Sequence, residues 1–319
     1  MIDFLSIGDT ATDAFIKLKE AETHCDINKE NCTICMGFGT KIPFESATIV
    51  AGVGNAANAA VSAARLGLSS ALIANIGQDR NGDDVMTSFQ KEKIDTSRVT
   101  RHSGIPTNYH YVLWYGDERT ILIKHQDFPR VFPADIETPK VIYLTSLGAG
   151  TEKYHTEISA YLDAHPDIFV TFQPGTFHIK MGAEKLAVVY KQTNLLVLNK
   201  DEAREILKNP SEESSEVLAQ TLQALGPKTV IITDGRNGVF ALEKDGNSFT
   251  IPMYPDPKAP VERTGAGDAF ASTTTAYLSI GYSLKDAMYR GTINSAYVVQ
   301  EIGAQKGLLT KEKIEALAK

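Results

Sequence analysis

Residues 52–67 read GVGNAANAAVSAARLG, and two folds compete for them. Taken alone, G-V-G-N-A-A matches the dinucleotide-binding pattern GxGxxA, in which glycines let a backbone turn approach a pyrophosphate. That pattern requires an acidic residue about 20 positions on, at the end of the next strand, to hold a ribose. Here the next strand-like run, ALIANIG, ends at Gly77 without one, and Asp79 falls in the loop beyond it. A dinucleotide turn also follows the first strand of its fold, whereas Gly52 comes some 50 residues into the chain. An NAD-dependent oxidoreductase is therefore set aside. What remains is a glycine turn opening an alanine-rich helix, Asn55 to Leu66, closed by Gly67.

The rest of the chain supplies a setting for that helix. It has 319 residues, 43% of them hydrophobic, with 24 glycines and a net charge of 32 − 39 = −7. This suits a globular protein with a sizeable core. The acidic balance and the lack of a Lys/Arg run argue against a nucleic-acid or anionic-membrane partner, so an anionic substrate has to be gripped locally. No apolar run approaches the roughly 20 residues of a membrane span. MIDFLSIGD is too short and too acidic for a signal peptide and reads as a first strand, which places the protein in the cytosol.

The runs DFLSIG, ALIANIG, VIYLTSL, IFVTF, LLVLN and TVIIT are nearly continuous in apolar character. Strands buried on both faces of a mostly parallel sheet read this way. Helical patterns lie between them at Asp83 to Lys93, Tyr154 to Ala164, Asp201 to Leu207 and Glu216 to Leu225. The alternation predicts an α/β sandwich, doubly wound, in a single domain over 1–319. Two stretches break it: residues of about 10–50, and YHYVLWYGDERTILIK at Tyr109 to Lys124, which folds back at Gly116-Asp117 like a hairpin. They predict a small β-sheet formed by about 10–50 and 105–125, projecting as a lid or serving as a homodimer surface. The last 40 residues, from about Leu284, look helical apart from a break at GAQKG.

All three cysteines, Cys25, Cys32 and Cys35, lie in HCDINKENCTIC. A zinc or redox site could use Cys32-x-x-Cys35 with Cys25 or His24. A structural zinc normally wants four ligands in two pairs, and a second CxxC is missing, so the plainer expectation is reduced cytosolic thiols.

Thr264 to Phe270 reads TGAGDAF and runs into an apolar helix. Glycines on either side of Ala266 admit a ligand close to the backbone, and the unpaired amides of the following helix start attract anions. Asp268 in the first turn is either a helix cap or a reactive carboxylate. Far upstream, Asn199 and Glu202 in NKDEA share one face where a strand enters a helix, which is also how a solvated helix start looks.

GNAANAAVSAARLG and TGAGDAF together resemble the two signature segments of the ribokinase-like carbohydrate kinases, the PfkB family. The order between them agrees: IGQDRNGDD, then NKDEA, then TDGRNG, then EIGAQ, so the likeness runs over essentially the whole chain. The resemblance implies a three-layer α/β/α sandwich with a β-lid, and phosphoryl transfer from ATP with Mg2+ to an alcohol. By position, Asp268 is then the catalytic base, and Gly265, Ala266 and Gly267 form the anion hole. Asn199 serves the phosphates and Glu202 the magnesium, through water. Thr233, Gly235 and Gly238 in TDGRNG lie near the donor phosphates and ribose, with Thr292 near the adenine. Asp13, Gly54, Asn55 and Asn58 meet the acceptor, carboxylate and amide groups being suited to paired hydroxyls.

Four residues depart from the family pattern. Val53 replaces the first glycine of a usual pair, Ser272 replaces a frequent glycine, and Glu262-Arg263 stand where relatives often carry Asp-Thr. The Asp position helps hold a monovalent cation in ribokinase, which puts K+ activation in question here; Arg263 either reaches a phosphate or faces solvent. The acceptor expected is a small sugar. A nucleoside is the alternative, with Tyr109, Tyr111, Trp114 and Tyr115 as a stacking platform rather than an inter-sheet face, while Lys124 and His125 could greet a phosphosugar. A sugar- or nucleotide-binding module without catalysis is the reading from another class, and such a module has no need of Asp268.

Overall fold

The computed structural model describes residues 1–25, 32–116, 118–133 and 135–319. Among them, one sheet has nine strands and a second has four. From the Phe4–Ile7 strand the large sheet extends through Val141–Thr145, Phe169–Gln173, Leu195–Asn199 and Thr229–Thr233 on one side. Ser70–Gly77 and Val99–His102 follow on the other. All of these pair in parallel; beyond Thr229–Thr233, Val239–Leu242 runs against them and the edge strand Ser248–Ile251 pairs antiparallel with it.

The continuous apolar runs are explained by which way alternate residues point. In Leu195–Asn199, Leu196 and Leu198 enter one hydrophobic cluster while Leu195 and Val197 enter another across the sheet. The same split divides Ile142 and Leu144 from Val141 and Tyr143. Each fully buried side chain of this size contributes about 1.5–3 kcal/mol relative to exposure. Both faces of the sheet are therefore covered by helices, giving a three-layer α/β/α sandwich.

The helices expected from the sequence form with small shifts in their ends. Asn55–Arg65, Glu152–Ala164, Lys200–Leu207 and Ser215–Gln223 lie within three residues of their expected bounds. Arg80–Lys91 starts earlier than expected because Asp79 caps it, accepting a bond from Gly82 N at 2.8 Å. The C-terminal region ends its first helix, Leu284–Val298, before EIGAQ and resumes only at Lys311–Leu317. Two short helices, Thr176–Met181 and Ala187–Gln192, were not expected.

The second sheet joins Phe44–Val53, Ala11–Leu18, Tyr109–Tyr115 and Glu118–Leu122, in that order. Its last two strands meet at the anticipated hairpin, of which Asp117 lies outside the described residues. A two-stranded ribbon, Glu22–His24 with Thr33–Cys35, extends from it. Here the expectation of reduced thiols is corrected: Cys25 and Cys32 form a disulfide, because the ribbon's antiparallel register brings its two ends together, and Cys35 remains a free thiol. Among the described residues no His/Cys/Asp/Glu group suited to a metal occurs, and no helix is long and apolar enough to cross a membrane.

Candidate active site

The Asn55–Arg65 and Ala266–Ser279 helices pack closely because small residues line their contact, with Ala59, Ala63 and Ala271 in one buried cluster. Their N-terminal ends converge beyond the C-terminal ends of the parallel strands, where open α/β sheets bind ligands. Asp268 sits there, 9% exposed. Its Oδ1 accepts from Asn55 Nδ2 at 2.9 Å and Gln173 Nε2 at 3.0 Å; its Oδ2 accepts from Asn58 Nδ2 at 2.7 Å. Burial pushes the carboxyl above the ordinary Asp range, and the bonds from Asn58, Gln173 and Asn55 pull the other way.

The donors are themselves oriented. Gln305 Nε2 donates to Asn58 Oδ1 at 3.0 Å and to Gly52 O at 2.7 Å. The Tyr143 hydroxyl donates to Gln173 Oε1, and Tyr143 is fully buried. Asn58 and Gln173 thus have their oxygens occupied and can present only NH2 to Asp268. Neither Gln173 nor Gln305 was singled out from the sequence. Gln173 had a signal, a polar side chain ending a buried parallel strand; Gln305 lies inside EIGAQ, but nothing local ties it to Asn58, 247 positions away.

Two cavities meet at the start of the Ala266–Ser279 helix. The first, about 230 Å³, is lined by Asp268 together with Asp13, Gly54, Asn55, Asn58 and Glu202. All four residues expected to meet the acceptor are therefore assembled, although Asn55 and Asn58 spend their NH2 groups on Asp268. The second, about 130 Å³, is lined by Ala266 and Gly267 with Thr233, Gly235, Gly238 and Thr292, and by Arg263. Gly265 caps the helix at φ 80°, and a Cβ there would come within 2.4 Å of Ala304 Cβ, so the turn admits only glycine.

Asn199 lines neither cavity. It and Glu202 form a reciprocal capping box, Asn199 Oδ1 accepting from Glu202 N and Glu202 Oε2 from Asn199 N, both at 2.8 Å. Burial, with the nearby charge of Asp268, pushes the Glu202 carboxyl up to about 7. Glu262 is buried: its Oε2 accepts from Thr264 N at 2.8 Å, its Oε1 from Gly303 N at 2.9 Å, and Arg119 of the second sheet approaches at 3.7 Å. Tyr109, Tyr111, Trp114, Tyr115 and Lys124 line neither cavity, whereas His110, His125 and Phe177 line the first. A buried carboxylate facing one cavity, beside helix-start amides facing another, suits transfer of an anionic group between two bound molecules.

The fold and this paired site define an α/β phosphotransferase of ribokinase-like architecture. Residues 17–311 match the model of the pfkB family of carbohydrate kinases, and the chain belongs to that family. It is similar to the 5-dehydro-2-deoxygluconokinase of Bacillus licheniformis, at 25% identity over 83% of this chain and 85% of the relative. Ribokinase of Bacillus subtilis is 26% identical, with 83% of this chain and 86% of the relative covered. Arabidopsis thaliana ribokinase, solved with ribose and ATP, superposes with a TM-score of 0.83 at 16% identity, over 100% of this chain and 99% of that one. The chain is thus an ATP-dependent carbohydrate kinase, phosphorylating a hydroxyl group of a small sugar or sugar-like acceptor.

Proposed function

We propose that Asp268 is the base of this reaction, with the sugar in the larger cavity and ATP in the smaller. The observation that carries the assignment is that Asp268 lines one cavity while Ala266 and Gly267, in the same helix turn, line the other. A carboxylate has about four lone-pair positions. Oδ1 accepts two amide bonds and Oδ2 one, so the vacant position is on Oδ2. The acceptor hydroxyl passes its proton there as its oxygen bonds the γ-phosphorus. The bond from that phosphorus to the β–γ bridging oxygen breaks, and ADP leaves with the electron pair. The amides of Gly265, Ala266 and Gly267 face the equatorial oxygens of the transferring group, where charge spreads in the transition state.

On the donor side, Thr233, Gly235 and Gly238 hold phosphates and ribose, Thr292 borders the adenine, and Arg263 reaches the phosphates. Glu202 suits magnesium: it offers hard oxygen close to a second carboxylate, and a cation between them and the phosphates would favour its ionised form. Bound there through water, Mg2+ would neutralise phosphate charge. Asn199 holds Glu202 in place through the capping box. The second sheet serves as a lid that keeps out water, which otherwise competes as acceptor.

General-base help is worth about 10² to 10⁴ in rate. Asp268→Asn should lose turnover on that scale while binding ATP as before in calorimetry. Near-normal turnover in this variant would remove Asp268 from the role.

A further inference from the structure

Accepting that the larger cavity holds the acceptor, its chemistry narrows what the acceptor is. Four carboxylates line it, Asp9, Asp13, Glu202 and Asp268, and among the described residues no lysine or arginine does. Arg130, behind Asp9, is already committed: its Nη2 lies 2.8 and 3.0 Å from the two oxygens of Asp9, and its side chain is 6% exposed. Asp9 also accepts from Gly148 N at 2.7 Å.

Two imidazoles complete the polar wall. His125 Nδ1 is 3.1 Å from Asp9 Oδ2, and His110 Nδ1 is 3.1 Å from Asp13 Oδ1. A carboxylate against Nδ1 places the ring proton there, so the neutral ring has a lone pair on Nε2. His110 Nε2 is buried and has no bonding partner. With both rings neutral the wall offers acceptors, Asp13 oxygens and imidazole lone pairs, beside the hydroxyls of Thr10, Ser146, Thr176 and Thr264, and a ligand meets those acceptors by bringing donors. Sugar hydroxyls do so. A phosphate or carboxylate brings only acceptors and would add negative charge to a buried, already negative space, where like charges repel strongly.

Apolar side chains share the lining with these polar groups. Ile121 from the second sheet, Ile123 just past its last strand and Phe177 give surfaces for the C–H faces of a sugar ring. The Phe177 ring meets His125 edge-on at 5.2 Å.

We infer that the acceptor is an uncharged monosaccharide, selected by the carboxylate-backed pair His110 and His125, and that sugar phosphates and sugar acids are refused. The experiment is ADP release with MgATP across four arms at equal concentration: free monosaccharides, their phosphate esters, aldonic acids and nucleosides. A free sugar should be preferred in kcat/KM by at least about 100-fold. His110→Arg, which adds a cation facing the cavity, should narrow the gap between free and phosphorylated sugar by about tenfold. A best substrate from any of the other three arms, or an unchanged ratio in His110→Arg, overturns the inference and leaves the kinase assignment standing. Silence in every arm, with wild type no different from Asp268→Asn, overturns the assignment of Asp268 and the inference with it.

Discussion

Gln305 Nε2 lies 3.0 Å from Asn58 Oδ1, and Asn58 Nδ2 lies 2.7 Å from Asp268 Oδ2. The first contact decides the second, because an amide whose oxygen is occupied can turn only its NH2 to the carboxylate. Gln305→Glu would set a carboxylate oxygen against Gly52 O and Asn58 Oδ1, turning the Asn58 amide round so that oxygen faces oxygen at Asp268. Steady-state turnover of Gln305→Glu should fall about 10- to 100-fold, the usual scale for groups that orient a reacting residue. Gln305→Met, which removes donors without adding an acceptor, should lose less. Equal losses in the two variants would mean that Gln305 acts by packing alone.

The pH dependence of turnover follows from the same carboxylate. Burial raises the Asp268 pKa and three amide donors oppose the rise. With Asp268 as the proposed base, turnover needs its ionised form, so it should be present above the raised pKa and fall as pH drops through it, at higher pH than an ordinary Asp would give. Gln173→Met removes one donor to the charged form, which raises the pKa further. Its acid limb in a kcat–pH profile should move to higher pH than wild type. An unmoved limb would assign it to another group, Glu202 being the neighbour that also titrates upward.

How far the sequence foretold this site depended on whether a residue's partners were local. The parallel strands could be read because burial on both faces leaves an unbroken apolar run, as in LLVLN. The glycine turns could be read because backbone approach to a ligand needs glycine, as at Gly265 against Ala304. The antiparallel strand Val239–Leu242 was half visible, since the glycines of TDGRNG suit a tight turn as well as a ligand loop. The orienting shell could not be read. Tyr143, Gln173 and Gln305 lie on separate elements, and only the fold makes their side chains adjacent. In the aromatic strand YHYVLWY it is the histidine, His110, and not the tyrosines or tryptophan, that lines the cavity.

Arg119 and Glu262 link the second sheet to the turn that opens the Ala266–Ser279 helix. Glu262 ties Thr264 N to Gly303 N, and its charge is balanced across 3.7 Å by Arg119. With that balance internal to the protein, wild-type turnover should be equal in KCl and NaCl. Breaking a buried pair costs about 3–5 kcal/mol. Arg119 is 26% exposed, which brings the expected loss of stability in Arg119→Ala to roughly 1–2 kcal/mol by denaturant titration. Turnover of Arg119→Ala should fall and be partly restored by guanidinium. Strong K+ activation of wild type would show that the arginine does not serve as the cation at this turn.

His178, next to Phe177 in the Thr176–Met181 helix, meets His155 of the Glu152–Ala164 helix at 2.9 Å through their Nε2 atoms. Their proton arrangement follows from the neighbours: Gly175 N donates to His178 Nδ1 at 3.2 Å, so His178 carries its proton on Nε2. His155 Nδ1 donates to Thr151 O at 2.7 Å and leaves its Nε2 to accept. The pair holds only while both rings are neutral, and burial, followed by the proximity of His155, pushes His178 down to about 3. An unfolded histidine takes up a proton below about 6.5. Folding stability from this pair is therefore complete above about pH 6.5 and declines as pH falls toward 3, by up to about 1.4 kcal/mol per pH unit for each proton that only the unfolded chain binds. His178→Gln removes the titrating ring. Urea titrations at pH 7.5 and pH 5 should show a smaller drop in stability for His178→Gln than for wild type, and parallel drops would mean that the imidazole pair contributes nothing to the acid sensitivity of the fold.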